Sequence, residues 1–268
     1  MEQPSFETIR VERTGRVARV VLNRPEVRNA FDDRMIADLI RAFEAIGNDS
    51  TVRAVVISGE GPVFCAGADL AWMRRVVDQD FAANLAESLE LARLFQIISR
   101  FDRPVVARVQ GAAIGGGNGL VAASDLAVAA ESAVFSLSET RLGIIPAAIG
   151  PYIVRRIGEG AARRLFLTGE RLDGRRAAEI GLVSRAVPEA ELDRAVEETL
   201  GQLLAGGPGA LAAAKRLFED IRGLDGQALN EVTARAIAEL RVSAEGQEGM
   251  RAFLEKRRAA WVEEAEDS

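Results

Sequence analysis

The hydrophobic positions of this chain change period several times between the N-terminus and the glycine-rich centre. "RVARVVLNRP" alternates and is rich in β-branched residues, so it reads as a strand stopped by Pro25. Beyond it Met35, Ile36, Leu39, Ile40 and Phe43 recur at helical spacing, with Asp32 or Asp33 placed to start the helix. "VRAVVISG" is a buried strand ending in the turn "GEGP". "FCAGADLAWMRRVV" then enters a helix in which Leu70, Met73, Val76 and Val77 share one side and Asp69 is the N-cap. "FAANLAESLELARLFQIISRF" is a long amphipathic helix, and "RPVVARV" is the next strand.

After the glycine cluster "GAAIGGGNGL" a helical pattern returns, and "DLAVAAES" and "AVFSLSE" read as two short strands. "AAIGPYIVRRIG", "EGAARRLFLTG" and "RRAAEIG" are helical in composition, and "LVSRAV" is a strand. From Glu189 the pattern is helical apart from breaks near "GGPG", "GLDG" and "AEGQEG". Strands alternating with helices predict an α/β fold with parallel pairing, because helical crossovers connect parallel strands. The helical tail predicts a small bundle. We place the boundary so that 1–200 is the α/β core and 201–268 the helical region. No low-complexity segment or strict repeat interrupts this order, although the strand–turn–helix unit recurs loosely.

Composition narrows the chemistry. The chain has no histidine and one cysteine, Cys65. Ser-His-Asp triads, Cys-His pairs and His-ligated zinc are excluded, and no internal disulfide can form. Acid–base work falls to carboxylates, the lone Tyr152, Lys or Arg. Cys65 reads as a small core residue, since no base motif accompanies it. The net charge of −6 argues against a nucleic-acid backbone as main partner. "MEQPSFETIR" has no apolar stretch of the signal-peptide kind, and no apolar run approaches the roughly 18–20 residues that span a bilayer. A cytoplasmic protein without membrane or nucleic-acid partners is the expectation.

"AVVISGEGPVFCAGADL" and "PVVARVQGAAIGGGNGL" share one layout: strand, glycine-containing loop, helix start. A helix start exposes amides without intrahelical partners and carries partial positive charge. Two such ends side by side would offer two N–H donors to one oxygen, the geometry of an oxyanion hole. A Rossmann fingerprint fails because Leu120 stands where the third glycine belongs, and "GERLDGRR" does not satisfy a P-loop. Tight packing of a helix on a sheet is the structural alternative for either cluster alone.

"NRPEVRNAF", "FCAGADL", "QGAAIGGG", "FSLSETRLGIIP" and "FLTGERLDGRRAAEIGLVSRAVP" occur in this order. Together they resemble the crotonase superfamily of enoyl-CoA hydratases, isomerases and relatives, over nearly the whole chain. The resemblance implies a crotonase-type spiral of ββα units with a C-terminal helical trimerisation region, assembled as a trimer or dimer of trimers. It implies an acyl-CoA substrate, with CoA part of that substrate and no further cofactor or metal. By motif match the amides of Ala68 and Gly116 would hold the thioester oxygen, and Gly115 would let the backbone approach it. Ala66, Asp69 and Leu70 match contacts along the CoA path, Arg28 and Ala30 match positions near the adenine, and Phe253 and Lys256 match a C-terminal region that reaches the nucleotide.

Hydratases of this family generally use two glutamates. One matches Glu139; the other falls at Gly119, which has no side chain. The "SLSE" stretch could instead be a capping box. A single glutamate is the arrangement of Δ3,Δ2-enoyl-CoA isomerases, whereas the "FSLSETRLGIIPAAIGPYIVRRIGE" block resembles hydratases of the methylglutaconyl-CoA type. The expectation is an enoyl-CoA hydratase acting on a possibly branched acyl group, with an isomerase or a catalytically weak acyl-CoA binder as alternatives. Glu87 and Glu90 are candidate substitute carboxylates. Ile149 and Tyr152 reshape the acyl pocket or pack a helix end, and Arg141, Arg155 and Arg156 meet a substrate carboxylate or are surface charges.

Overall fold

The computed structural model describes residues 5–262. The chain begins with an antiparallel pair, β1 (Ile9–Thr14) and β2 (Val17–Leu22). There follow α1 (Asp33–Gly47), β3 (Ala54–Gly59), α2 (Leu70–Val77), α3 (Phe81–Arg100), β4 (Val105–Val109), β5 (Ala112–Ile114), α4 (Gly116–Ala123), β6 (Leu126–Ala130) and β7 (Val134–Ser136). Next come α5 (Gly150–Thr168), β8 (Arg171–Leu172), α6 (Gly174–Glu179) and β9 (Arg185–Val187), then α7 (Leu192–Ala205), α8 (Pro208–Asp220), α9 (Gly226–Val242) and α10 (Ala244–Leu254).

The residues fall into two compact units. One holds the chain up to Phe101 together with Val105–Glu197; the other holds Asp102–Pro104 and the chain from Glu198 onward. The division falls inside α7, three residues before the boundary drawn from the sequence, and a short excursion at residues 102–104 joins the helical unit.

Two sheets build the first unit. The larger runs β1-β2-β3-β4-β6-β9, parallel from β2 onward. The smaller runs β5-β7-β8, with β5 parallel to β7. The two short strands foreseen around residues 125–138 therefore exist but belong to different sheets. β1, polar on most of its length, was not legible as a strand; it exists because β2 offers it a ladder over six residues. Val20, Leu22, Ile57, Val105 and Val106 of the larger sheet are fully buried, Val105 and Val106 on its opposite faces. Parallel strands covered in this way read as continuous apolar runs, as "AVVIS" does.

Helix starts follow the predicted caps. Asp32 accepts from the Met35 amide at 2.9 Å and starts α1. Asp69 accepts from the Ala71 and Trp72 amides and starts α2. Arg24 ties the two caps: one guanidinium nitrogen lies 3.2 Å from Asp32 Oδ2, the other 2.9 Å from Asp69 Oδ2. The apolar side expected for α2 is not buried. Leu70 and Val77 are exposed, and no residue of α2 is buried. Likewise only Leu94, Phe95 and Ile98 of α3 are buried, all in its C-terminal half. Among the described residues no helix is long and apolar enough to cross a membrane.

Replacing Arg24 by Met leaves two neighbouring carboxylates without their shared cation. We expect a loss of about 2–3 kcal/mol in urea unfolding, somewhat less than for breaking a fully buried pair.

Candidate active site

The turn between β3 and α2 is held on both sides. The Cys65 amide donates to Ala112 O, and the Ile114 amide donates to Cys65 O, both at 3.0 Å. The Phe31 amide donates to Gly67 O at 2.7 Å, and the Asp69 amide to Phe31 O at 2.8 Å. Because the groups flanking Ala68 are the ones turned toward Phe31, the Ala68 amide itself points to the opposite side. It makes no hydrogen bond among the described residues.

The second segment is the start of α4. Gly115 has φ 51° and ψ −118°, which only glycine adopts readily, and its amide donates to Ser136 O at 3.0 Å. Gly116 is the first helical residue, so its amide has no partner within the helix. The two segments touch. A Cβ placed on Gly115 would lie 3.9 Å from Gly67 Cα and 3.2 Å from Glu139 Oε1. The loop before α2, the start of α4 and the Glu139 carboxylate thus meet at one place.

Packing also fixes α4. A Cβ on Gly116 would sit 3.1 Å from the Phe31 ring, and one on Gly117 would sit 2.9 Å from Cys65 O. At Gly119 it would lie 2.4 Å from Ile149 Cγ2 and 2.5 Å from Phe95 Cζ. Both neighbours are buried, and neither can move cheaply. The position matching the family's first glutamate is therefore filled by two apolar side chains. Ile149 takes the packing role, with the Tyr152 ring next along at 6.1 Å from Phe95.

Glu139 opens a single 3-10 turn, Glu139–Leu142, closed by Gly143 at φ 76°. Ser136, the cap in the capping-box alternative, lies in β7 with its hydroxyl donating to Gly169 O at 3.2 Å, so that alternative falls. Glu139 Oε2 is buried and has no hydrogen-bond partner. Desolvation pushes the Glu139 pKa above the ordinary glutamate value, against the opposing pull of its own amide. An under-solvated carboxyl group with a spare oxygen suits proton transfer near neutrality.

The remaining predicted positions divide. Ala66 is half-exposed beside the site, and its amide donates to Arg28 O at 3.0 Å. Arg28 is exposed with φ 56°, and Leu70 is exposed. Ala30 is buried, and its carbonyl accepts from Arg24. The Asp69 carboxylate is taken up by its cap and by Arg24, so any contact from this residue must come through its main chain. Phe253, exposed, and Lys256, at φ 55°, lie in the helical unit. Glu87 accepts from Trp72 Nε1 and Gln79 Nε2, both at 2.7 Å, and so ties α3 to α2 and the turn after it; Glu90 pairs with Arg93 within α3. Burial pushes the Cys65 thiol up to about 12, which makes it inert. Among the described residues no cluster could hold a metal ion.

Arg156 departs furthest from expectation. Half-buried, it donates to Val121 O, Ser124 O and, more weakly, Ala122 O and Asp125 O. Nothing in "YIVRRIG" distinguishes it from Arg155, which lies over the Tyr152 ring.

The model of the enoyl-CoA hydratase/isomerase family matches residues 12–264. The chain belongs to that family. An enoyl-CoA hydratase of Shewanella pealeana has the same fold with TM-score 0.92 and 40% identity, covering 96% of each chain. Pseudomonas aeruginosa AtuE superposes with TM-score 0.92 and 41% identity, covering 96% of this chain and 100% of the other. The 2,3-dehydroadipyl-CoA hydratase of Escherichia coli is 33% identical over 251 residues, 92% of this chain and 95% of the relative. The crotonase-type α/β spiral with a helical C-terminal region is thereby confirmed.

Three outcomes are expected. Gly119→Ala should cost about 1–3 kcal/mol in denaturant unfolding through overpacking, and Gly119→Glu should fail to accumulate as folded protein. Glu139 has a folded pKa above its unfolded value, so its contribution to stability is present at low pH and lost as pH rises through the folded pKa. Glu139→Gln should therefore melt higher than wild type at about pH 8, with the gap closing toward about pH 4.

Proposed function

We propose that this chain hydrates an enoyl-CoA thioester with Glu139 as its one acid–base carboxylate and the amides of Ala68 and Gly116 as an oxyanion hole. The observation that supports this most is the unpartnered Glu139 Oε2 beside two segments whose leading amides also lack partners. Three unsatisfied polar groups at one place await a ligand with complementary groups: a carbonyl oxygen for the donors and a water or C–H proton for the carboxylate.

In the scheme, the carboxylate takes a proton from water as the water oxygen bonds to Cβ. The electrons of the double bond move onto the thioester oxygen, where the two amides and the α4 N-terminus stabilise the enolate. The enolate then collapses, and the proton held on Glu139 passes to Cα. Water, thioester and Glu139 balance the atoms, so no separate cofactor enters. The exposed main-chain edge at Ala66 and Ala68, with Arg28, Ala30, Leu70 and Gly115 around it, is the region we assign to the pantetheine and nucleotide. The exposed Phe218, Val242 and Phe253 of the helical unit supply apolar surface for assembly as a trimer or a dimer of trimers, and we assign Phe253 and Lys256 of that unit to contact with a nucleotide.

The filled position at Gly119 favours one alternative. A lone carboxylate suffices to carry a proton from Cα to Cγ, so double-bond isomerisation needs no second glutamate. Product mass across a panel of straight and branched enoyl-CoAs separates the two. We expect a gain of one water; unchanged mass with a moved double bond would establish the isomerase. In the same assay Glu139→Gln should lower kcat by about 10²–10⁴ while acyl-CoA binding stays within a few-fold.

A further inference from the structure

The last carbonyls of an α-helix have no intrahelical donor, and a cation there stabilises both the helix end and its dipole. In α4, Leu120 O accepts from the Ser124 amide and hydroxyl. The next two carbonyls, of Val121 and Ala122, accept from Arg156 Nη1 at 2.7 and 3.3 Å. The same nitrogen reaches Ser124 O at 2.6 Å, and Nη2 reaches Asp125 O at 3.3 Å. One guanidinium thus caps two of the last carbonyls, and two just beyond, of the helix whose first residue is Gly116.

The charge is poorly compensated. Arg156 forms no ion pair among the described residues, and desolvation lowers its pKa to about 10. Asp125 is the carboxylate whose charge reaches it, and that group is already occupied by the Val105 amide at 2.7 Å. Nature could have closed this helix end with a neutral donor at less desolvation cost. A cation is justified if its charge is used.

We infer that Arg156 is a positioning residue for the reaction: it fixes α4 from behind and adds its positive charge to the potential at Gly116, where the thioester oxygen gains negative charge. This rests on the hydratase reading of the site. The helix has eight residues and is about 12 Å long, so the charge lies roughly 12–15 Å from that oxygen. At an effective dielectric of about 20 such a pair changes the rate by up to about tenfold. Arg156 also belongs to α5, the helix that follows Ile149, so it joins the back of α4 to the element that closes the position beside Gly119.

The test separates charge from hydrogen bonding. Arg156→Gln keeps an amide donor and loses the charge; Arg156→Lys keeps the charge. The expected result for Arg156→Gln is a fall in kcat of about tenfold with KM within twofold of wild type, while Arg156→Lys retains most of kcat. Equal losses in both variants, a loss confined to KM, or no loss in Arg156→Gln would each overturn the inference. The carbonyl stretch of a bound saturated acyl-CoA, read by isotope-edited infrared spectroscopy, gives a second readout that needs no turnover. Arg156→Lys should keep the wild-type frequency, and Arg156→Gln should move it toward that of free thioester; a shift in the Lys variant would count against the charge, and it decides the matter should the Gln variant not fold. A wild-type enzyme that turns over no enoyl-CoA would instead strike the hydratase reading, and the carbonyl frequency would still judge Arg156.

Discussion

The site depends on the close approach of two main chains at Gly67 and Gly115. Only glycines allow it. Gly67 has φ 93°, and a Cβ there would lie 3.2 Å from Ile114 O. That contact sets the Ala68 amide and the start of α4 beside each other. It is maintained by bonds that do not involve the site: Cys65 with Ala112 and Ile114, and Phe31 with Gly67 and Asp69. The amides of Cys65, Ala66, Asp69, Ile114 and Gly115 are already taken, which leaves the Ala68 amide and the first amides of α4 facing the site.

Electrostatics at the site come from arrangement more than from charged side chains. The helix start supplies partial positive charge without a counter-ion. Glu139, close to it, would be expected to ionise readily, yet desolvation outweighs that pull and holds its pKa up. A raised pKa makes the carboxylate a stronger base toward water and brings its protonated and ionised forms closer to balance near neutrality, which is what a single group serving as both base and acid requires. Ile149 and Phe95 contribute by exclusion: they deny space to a second carboxylate and to bulk water on that side.

Much of this was legible along the chain. The β3–loop–α2 and β4–β5–α4 layouts follow from period changes bounded by glycines, and Asp32 and Asp69 follow from cap chemistry, because these are local relations. Glu139 came from its motif, and its desolvation could not be read there because it depends on residues distant in sequence. The same holds for Gly119, whose missing side chain looks like a lost function in one dimension and like a packing requirement in three. Arg156 carries no sequence signal at all, since its partners lie 31–35 positions earlier. α2 misled for the opposite reason: its periodicity is real, but the apolar side it forms is left exposed in the chain.

The most direct measurement is the carbonyl stretch of a saturated acyl-CoA, labelled with carbon-13 at the thioester, bound to the wild-type protein. Two convergent amide donors at a helix start should lower that frequency below its value in water. A stretch at or above the aqueous value would mean that Ala68 and Gly116 do not hold the oxygen, and the account of the site would fail with it.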